Sequence, residues 1–422
     1  MEQKHVVAMP SDLRNRNFGY ILNTICRKKQ FTITDIVHTT KMSRHTIAKA
    51  LSELMELGII VPNGKASSTN VGGKKPVQYA LNDKAYVICM SAGEHKTGFS
   101  LMTLDYQRID AIELQFLAEY SPEQFVSDSV AACKTLIERN HIAHKDFLGI
   151  SYCMGGIVDE EKGVVRYAAT VPEWGQNIEI RKMISEKLDF TTHLSIDNVC
   201  KICARTMISH DNLNQKNIAV FYCDYGMGIT LIEAGTIHQT SHKIANEWGH
   251  MVVNPWDKER CGCGGFGCVE VLLGEKRIRE KISMLSEDRQ NALMDGYDGT
   301  EDIRIHVMKR SDQGNSDAIE LMHYMADLFG ITIRNVYLGI DPDYIVLLGA
   351  FAHCTESFLD CAREKARENL YLADVEIDLR RYPRSIRSLQ EIGGVNTILR
   401  AVTNAVAEQQ VAEQTAEENY DF

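Results

Sequence analysis

The chain has 422 residues, a net charge of -11 and 44% hydrophobic residues, an ordinary balance for globular protein and enough for two to three domains. No stretch approaches the roughly 20 apolar residues a membrane helix needs, and the opening MEQKHVVAMPSDLRNRN lacks the apolar run of a signal peptide. These features predict a cytoplasmic protein with no membrane partner, whose twelve cysteines stay reduced, so that a cluster of them is a metal site rather than a disulfide framework.

Charge divides the chain. Residues 1–84 carry 13 Lys and Arg against 6 Asp and Glu, whereas the remainder carries 33 against 51. A basic head on an acidic body fits phosphate contacts made by the head alone. Within the head, Phe18, Ile21, Leu22 and Ile25 follow the i, i+3, i+4, i+7 spacing of one helix face. TITDIVHTT predicts a second short helix capped by Thr34, and SRHTIAKALSELMELG a third, capped by Ser43 and stopped at Gly58. Helix, tight turn, helix is the order of a helix-turn-helix, with the third segment as recognition helix. Its early outward residues, Arg44, His45, Thr46 and Lys49, are candidate DNA contacts. IIVP and VQYAL then flank NGKASSTNVGGKKP, a polar hairpin tip carrying Lys65, Lys74 and Lys75, read as the wing of a winged helix with Lys74 and Lys75 as candidate DNA contacts.

From Tyr86 onward the pattern alternates. AYVICMS, GFSLMTLD, FLGISYCM, THLSID, NIAVFYCDYG, ITLIEAG and YIVLLGA read as strands, and PEQFVSDSVAACKTLIERN, IEIRKMISEKL and DAIELMHYMADLFGITIRNVYLGI as helices. Such alternation predicts an α/β body over 85–400. The acidic end, AVAEQQVAEQTAEENYDF, has few large apolar residues, and residues 401–422 are expected to be a flexible tail.

One stretch stands apart. In NEWGHMVVNPWDKERCGCGGFGCVE, residues 246–270, Cys261, Cys263 and Cys268 follow His250, offering three sulfurs and one nitrogen for closed tetrahedral zinc. Gly262, Gly264, Gly265 and Gly267 permit the turns that aim three thiolates at one point. A closed site has no open coordination position, so the zinc is read as structural. The pair Cys200 and Cys203 has no partners in sequence and is read as core. Trp174 fits a cleft wall and ordinary packing equally well.

In order, a winged helix ending in GGKKP, then GGIVDEEKGVV, SID, EWGHMVV and CGCGGFGCVE resemble the ROK family, which groups bacterial sugar-responsive repressors with sugar kinases on a two-lobed actin/hexokinase-like fold. The resemblance runs from about Arg14 to Arg400. It implies that zinc organises a loop beside a sugar site, with Glu247, His250 and Glu270 facing sugar hydroxyls, and that Asp197 stands where the family kinases keep their base. It also exposes departures. Ile196 replaces the Asn before that Asp, and SAGEH replaces D-x-G-G-T, putting Ser91, Glu94 and His95 where Asp, Gly and Thr are expected.

Together these readings predict a regulator of carbohydrate genes, most simply a repressor, with no catalytic residues. Asp197 is expected to accept sugar hydroxyls, the effector to be a sugar or sugar phosphate, and the partner to be operator DNA bound by a homodimer or tetramer. The alternative is a sugar kinase with an appended DNA-binding domain.

Overall fold

A computed structural model describes residues 10–66, 75–93, 96–115, 120–211, 213, 216–224, 226–238, 247–368, 370, 375–382 and 384–418. The head contains α1 (Pro10–Cys26), α2 (Ile33–Thr40), α3 (Arg44–Glu56), β1 (Ile60–Lys65) and β2 (Val77–Leu81). The cap of α2 lies two residues earlier than Thr34. Thr32 accepts from the Asp35 amide while the Asp35 carboxylate takes the Thr32 N–H, a reciprocal box. Ser43 caps α3 by accepting from the Thr46 amide, and Gly58 follows it with a φ of 68°. β1 and β2 pair antiparallel, and Phe31 bridges to Tyr79 as a third short strand.

Lobe 1 follows. Its sheet has the order β5-β4-β3-β6-β9, from β3 (Tyr86–Ala92), β4 (Lys96–Thr103), β5 (Arg108–Gln115), β6 (Phe147–Met154) and β9 (His193–Asn198). The pair β7 (Ile157–Asp159) and β8 (Val164–Tyr167) forms a separate ribbon. α4 (Pro122–Arg139), α5 (Ile180–Lys187) and α6 (Val199–Asp211) complete the lobe. β3, β6 and β9 run parallel, while β4 and β5 return antiparallel. β3 and β6 read as continuous apolar runs because both faces of this part of the sheet are covered, by α4 on one side and by α6 and the C-terminal helix on the other.

Lobe 2 repeats the plan with the order β12-β11-β10-β13-β14, from β10 (Ile218–Cys223), β11 (Met227–Glu233), β12 (Thr236–Ile237), β13 (Tyr344–Gly349) and β14 (Leu379–Arg381). Its helices are α7 (Val269–Leu272), α8 (Glu275–Ser283), α9 (Glu287–Met294), α10 (Ile303–Asp312), α11 (Ser316–Ile340) and α12 (Glu356–Arg367). α11 and α12 pack together, and Phe221, Phe329, Phe351 and Phe358 interlock in the core they share with β10.

The last helix, α13 (Ile386–Glu418), returns to lobe 1 and packs on α6, β3 and β6. Residues 401–418, expected as a loose tail, have helical backbone, in keeping with the high helix propensity of their Ala, Glu and Gln. α13 also fixes the head. Val395, Ile398, Leu399 and Val402 share one buried cluster with Ile21, Leu22 and Ile25 of α1, Leu51 and Leu54 of α3, and Val87 and Met102 of lobe 1.

Candidate functional site

A cleft opens between the lobes. It is lined by the ends of β3, β6 and β9, the 168–174 segment, the β10–β11 turn and the segments bearing Glu247, His250 and Glu270. The structure therefore brings three of the four expected sugar-facing residues to one wall.

Their arrangement follows from the cysteine loop. His250 Nδ1 lies 3.4 Å from Cys261 Sγ, Cys263 Sγ lies 3.7 Å from Cys268 Sγ, and the four ligand atoms all lie within 4.8 Å of one another. A zinc tetrahedron with Zn–S bonds of about 2.3 Å has S–S edges of about 3.8 Å, so these donors fit that ion. Two glycines are required here. A Cβ on Gly262 would meet the Ala169 carbonyl at 1.9 Å, and Gly267, at φ 71°, would meet the Asn254 carbonyl at 2.0 Å. Arg277 of α8 holds the preceding loop at both Asp257 and Glu259, each at 2.7 Å.

With Nδ1 turned to the thiols, His250 leaves Nε2 without a hydrogen-bond partner among the described residues, 3.7 Å from the Glu247 carboxylate. Glu270 Oε2 accepts the Met227 amide at 2.9 Å, tying α7 to the β10–β11 turn. Burial and the neighbouring Glu270 push the Glu247 carboxyl up to about 7, opposed in part by Lys201. Without metal, burial likewise pushes the Cys261 thiol up to about 11.

Asp197 is placed differently. It is buried, with one oxygen accepting from Arg205 Nε at 3.0 Å and the other from the Asn198 amide at 2.8 Å. The cleft wall there is made by Asn198, Val199 and Cys200. Asn198 itself caps α6, receiving Cys200 N at 2.8 Å and donating to the Gly156 carbonyl at 2.8 Å. Ile196 lies in the lobe 1 core. Ser91 is buried and donates to the Gly98 carbonyl, while Glu94 and His95 lie outside the described residues. Cys200 and Cys203 are buried core thiols apart from the cysteine loop. Trp174 lines the cleft and also packs on Phe125, its indole N–H donating to the Tyr120 carbonyl at 2.7 Å.

On the head, Arg44, His45, Thr46 and Lys49 are all exposed along the start of α3, while Ile47, Ala50 and Leu51 are buried beneath them. Lys65 and Lys75 are exposed on the wing, and Lys74 lies outside the described residues. The residues sequence reasoning missed are Asn198 and Arg205. Asn198, immediately before a helical run, carries a capping signal that was legible; Arg205 required the fold.

Comparison with known proteins agrees with this arrangement. The ROK family model matches residues 87–383. The xylose repressor of Caldicellulosiruptor bescii is 22% identical over 376 residues, covering 86% of this chain and 90% of that protein. The DNA-binding transcriptional dual regulator NagC of Escherichia coli is 23% identical over 393 residues, covering 90% and 91%. A crystal structure of a ROK family transcriptional regulator, a homologue of the E. coli MLC protein, superposes with a TM-score of 0.71 at 16% identity over 92% of this chain and 97% of that one. Kinases of the family share the two-lobed body. The chain belongs to the ROK family.

Proposed function

We propose that this protein is a DNA-binding regulator of carbohydrate genes, acting as a repressor, in which a sugar-class effector in the inter-lobe cleft alters the hold of the winged helix on its operator. The observation that carries this reading is the head itself. A recognition helix with an outward row of Arg44, His45, Thr46 and Lys49 shares one buried core with α13 and lobe 1, so the DNA-binding surface is anchored to the lobe that forms one side of the cleft. The relatives named xylose repressor and DNA-binding transcriptional dual regulator match 86% and 90% of this chain, more than the family body alone.

In the cleft, Glu247, His250 and Glu270 would meet sugar hydroxyls, and a structural zinc held by His250, Cys261, Cys263 and Cys268 would fix the spacing of those groups. Asp197 would act from behind the wall, through Asn198, as a positioning residue. Phosphoryl transfer is not part of this reading, because Ser91 supplies no carboxylate for a nucleotide-bound metal and Asp197 is held by Arg205. A single winged helix presents a small interface, so a homodimer on a palindromic site is expected. Selection of bound fragments from genomic DNA, followed by affinity measurement with and without sugars, tests the proposal. Failure to enrich any duplex would refute it.

A further inference from the structure

The cysteine loop belongs to lobe 2, yet it sits hard against lobe 1. The Tyr167 hydroxyl, at the end of β8, donates to the Gly262 carbonyl at 2.5 Å. The Ala169 carbonyl presses on the same residue, where a Cβ would meet it at 1.9 Å. Gly262 is not in the left-handed region, unlike Gly264 and Gly267 at φ 90° and 71°. An alanine at 262 would therefore suit the loop's own backbone, and what demands glycine there is the approach of lobe 1.

The same segment is packed as closely on lobe 1 itself. A Cβ on Gly156 would meet the Tyr167 carbonyl at 2.4 Å and the Ala168 Cα at 2.6 Å, and the Gly156 carbonyl takes the Asn198 side-chain N–H. Residues 167–169 are thus gripped by two glycines, one from each lobe. Ala168, Ala169 and Thr170 line the cleft, as do Gly156 and Asn198. Their placement depends on where Gly262 sits, and Gly262 lies between Cys261 and Cys263, two of the four candidate zinc ligands. The lobes also meet at α6, whose Val199, Cys200 and Cys203 share a buried cluster with Val220 and Tyr222 of β10. That joint is apolar packing, whereas the bond at Gly262 is lost with one hydroxyl.

We propose that Tyr167 is a positioning residue for the cleft: its hydroxyl docks the cysteine loop on lobe 1, so that metal binding in the loop orders residues 168–170 as well as Glu247, His250 and Glu270. A loop whose four donors are tied to one ion has less freedom to lose on docking, so docking and metal binding favour one another. The inference rests on the reading of the loop as a zinc site.

Hydrogen exchange of the full-length protein, stripped of metal and then supplied with zinc chloride, tests it. Val165 N and Val171 N are bonded to the Ile178 and Ala168 carbonyls and report local opening of the segment. Zinc is expected to slow exchange in peptides covering 250–268 and also in those covering 164–171, the latter by about threefold or more, the worth of a modest net hydrogen bond. Tyr167→Phe should keep the first effect and lose most of the second. Gly262→Ala, which leaves every thiol and the Tyr167 hydroxyl in place, should do the same. The 250–268 peptides report folding and metal uptake on the same sample. Slowing confined to 250–268 in the wild type, or equal slowing of 164–171 in the wild type and Tyr167→Phe, would overturn this inference while leaving the zinc reading intact. No slowing in either region would overturn both.

Discussion

Arg205 Nε and Asp197 Oδ2 stand 3.0 Å apart behind the cleft wall, joining the middle of α6 to the end of β9. Arg400 of α13 lies close behind them, and burial together with the Arg205 charge lowers its pKa to about 10. A carboxylate this enclosed depends on its partner. Arg205→Ala is therefore expected to cost about 1.5–3 kcal/mol by urea denaturation, and Asp197→Asn less, because the amide oxygen still accepts from Arg205. Equal stability of Arg205→Ala and the wild type would show that the pair contributes nothing.

Metal removal is expected to act on the cleft before it acts on the cores. Cys263 is the exposed member of the cysteine loop, whereas the loop's other anchor, Arg277 with Asp257 and Glu259, is independent of metal. Cys263→Ser should lose zinc by elemental analysis and lose the sugar-induced thermal shift while remaining soluble. Zinc affinity of the wild type should fall as pH falls, since the thiols must shed protons to bind and burial raises Cys261. A zinc-free variant with an unchanged sugar shift would separate the metal from the pocket.

On DNA, Arg44→Ala or Lys49→Ala should each weaken specific binding by about 1–3 kcal/mol if the side chain reads a base edge, and less if it meets only phosphate. Replacing Lys74 and Lys75 together should flatten the salt dependence of binding by about two phosphate contacts. An unchanged salt slope would remove the wing from the interface.

Purified protein is expected to show no sugar-dependent ATP turnover above background in a coupled assay across common hexoses and amino sugars. Turnover abolished by Asp197→Asn would establish a kinase, with the ion pair to Arg205 broken during the cycle.

Much of this organisation was legible because it depends on local pattern. Cap residues and apolar spacing mark α3, and the spacing of Cys261, Cys263 and Cys268 after His250 marks the knuckle. β5 escaped notice because it is the charged edge of its sheet, with Arg108, Asp110 and Glu113 breaking the apolar run. The role of α13 escaped because a helix's partners are set by topology. Only the fold shows that Val395, Ile398 and Leu399 close the core of a head more than 300 residues earlier. At the cleft, residue identity suggested Asp197 as the contact, whereas the wall is built by Asn198 with Asp197 held behind it by Arg205.

The central claim is that occupancy of the cleft controls DNA binding. It is tested most directly by fluorescence anisotropy of the zinc-loaded full-length protein on a genomically selected duplex, at fixed salt, with and without each sugar. The account predicts that at least one of them lowers DNA affinity about tenfold or more, a coupling of about 1.4 kcal/mol, and that Glu270→Gln weakens the effect. DNA affinity unchanged by a compound shown calorimetrically to fill the cleft would contradict it.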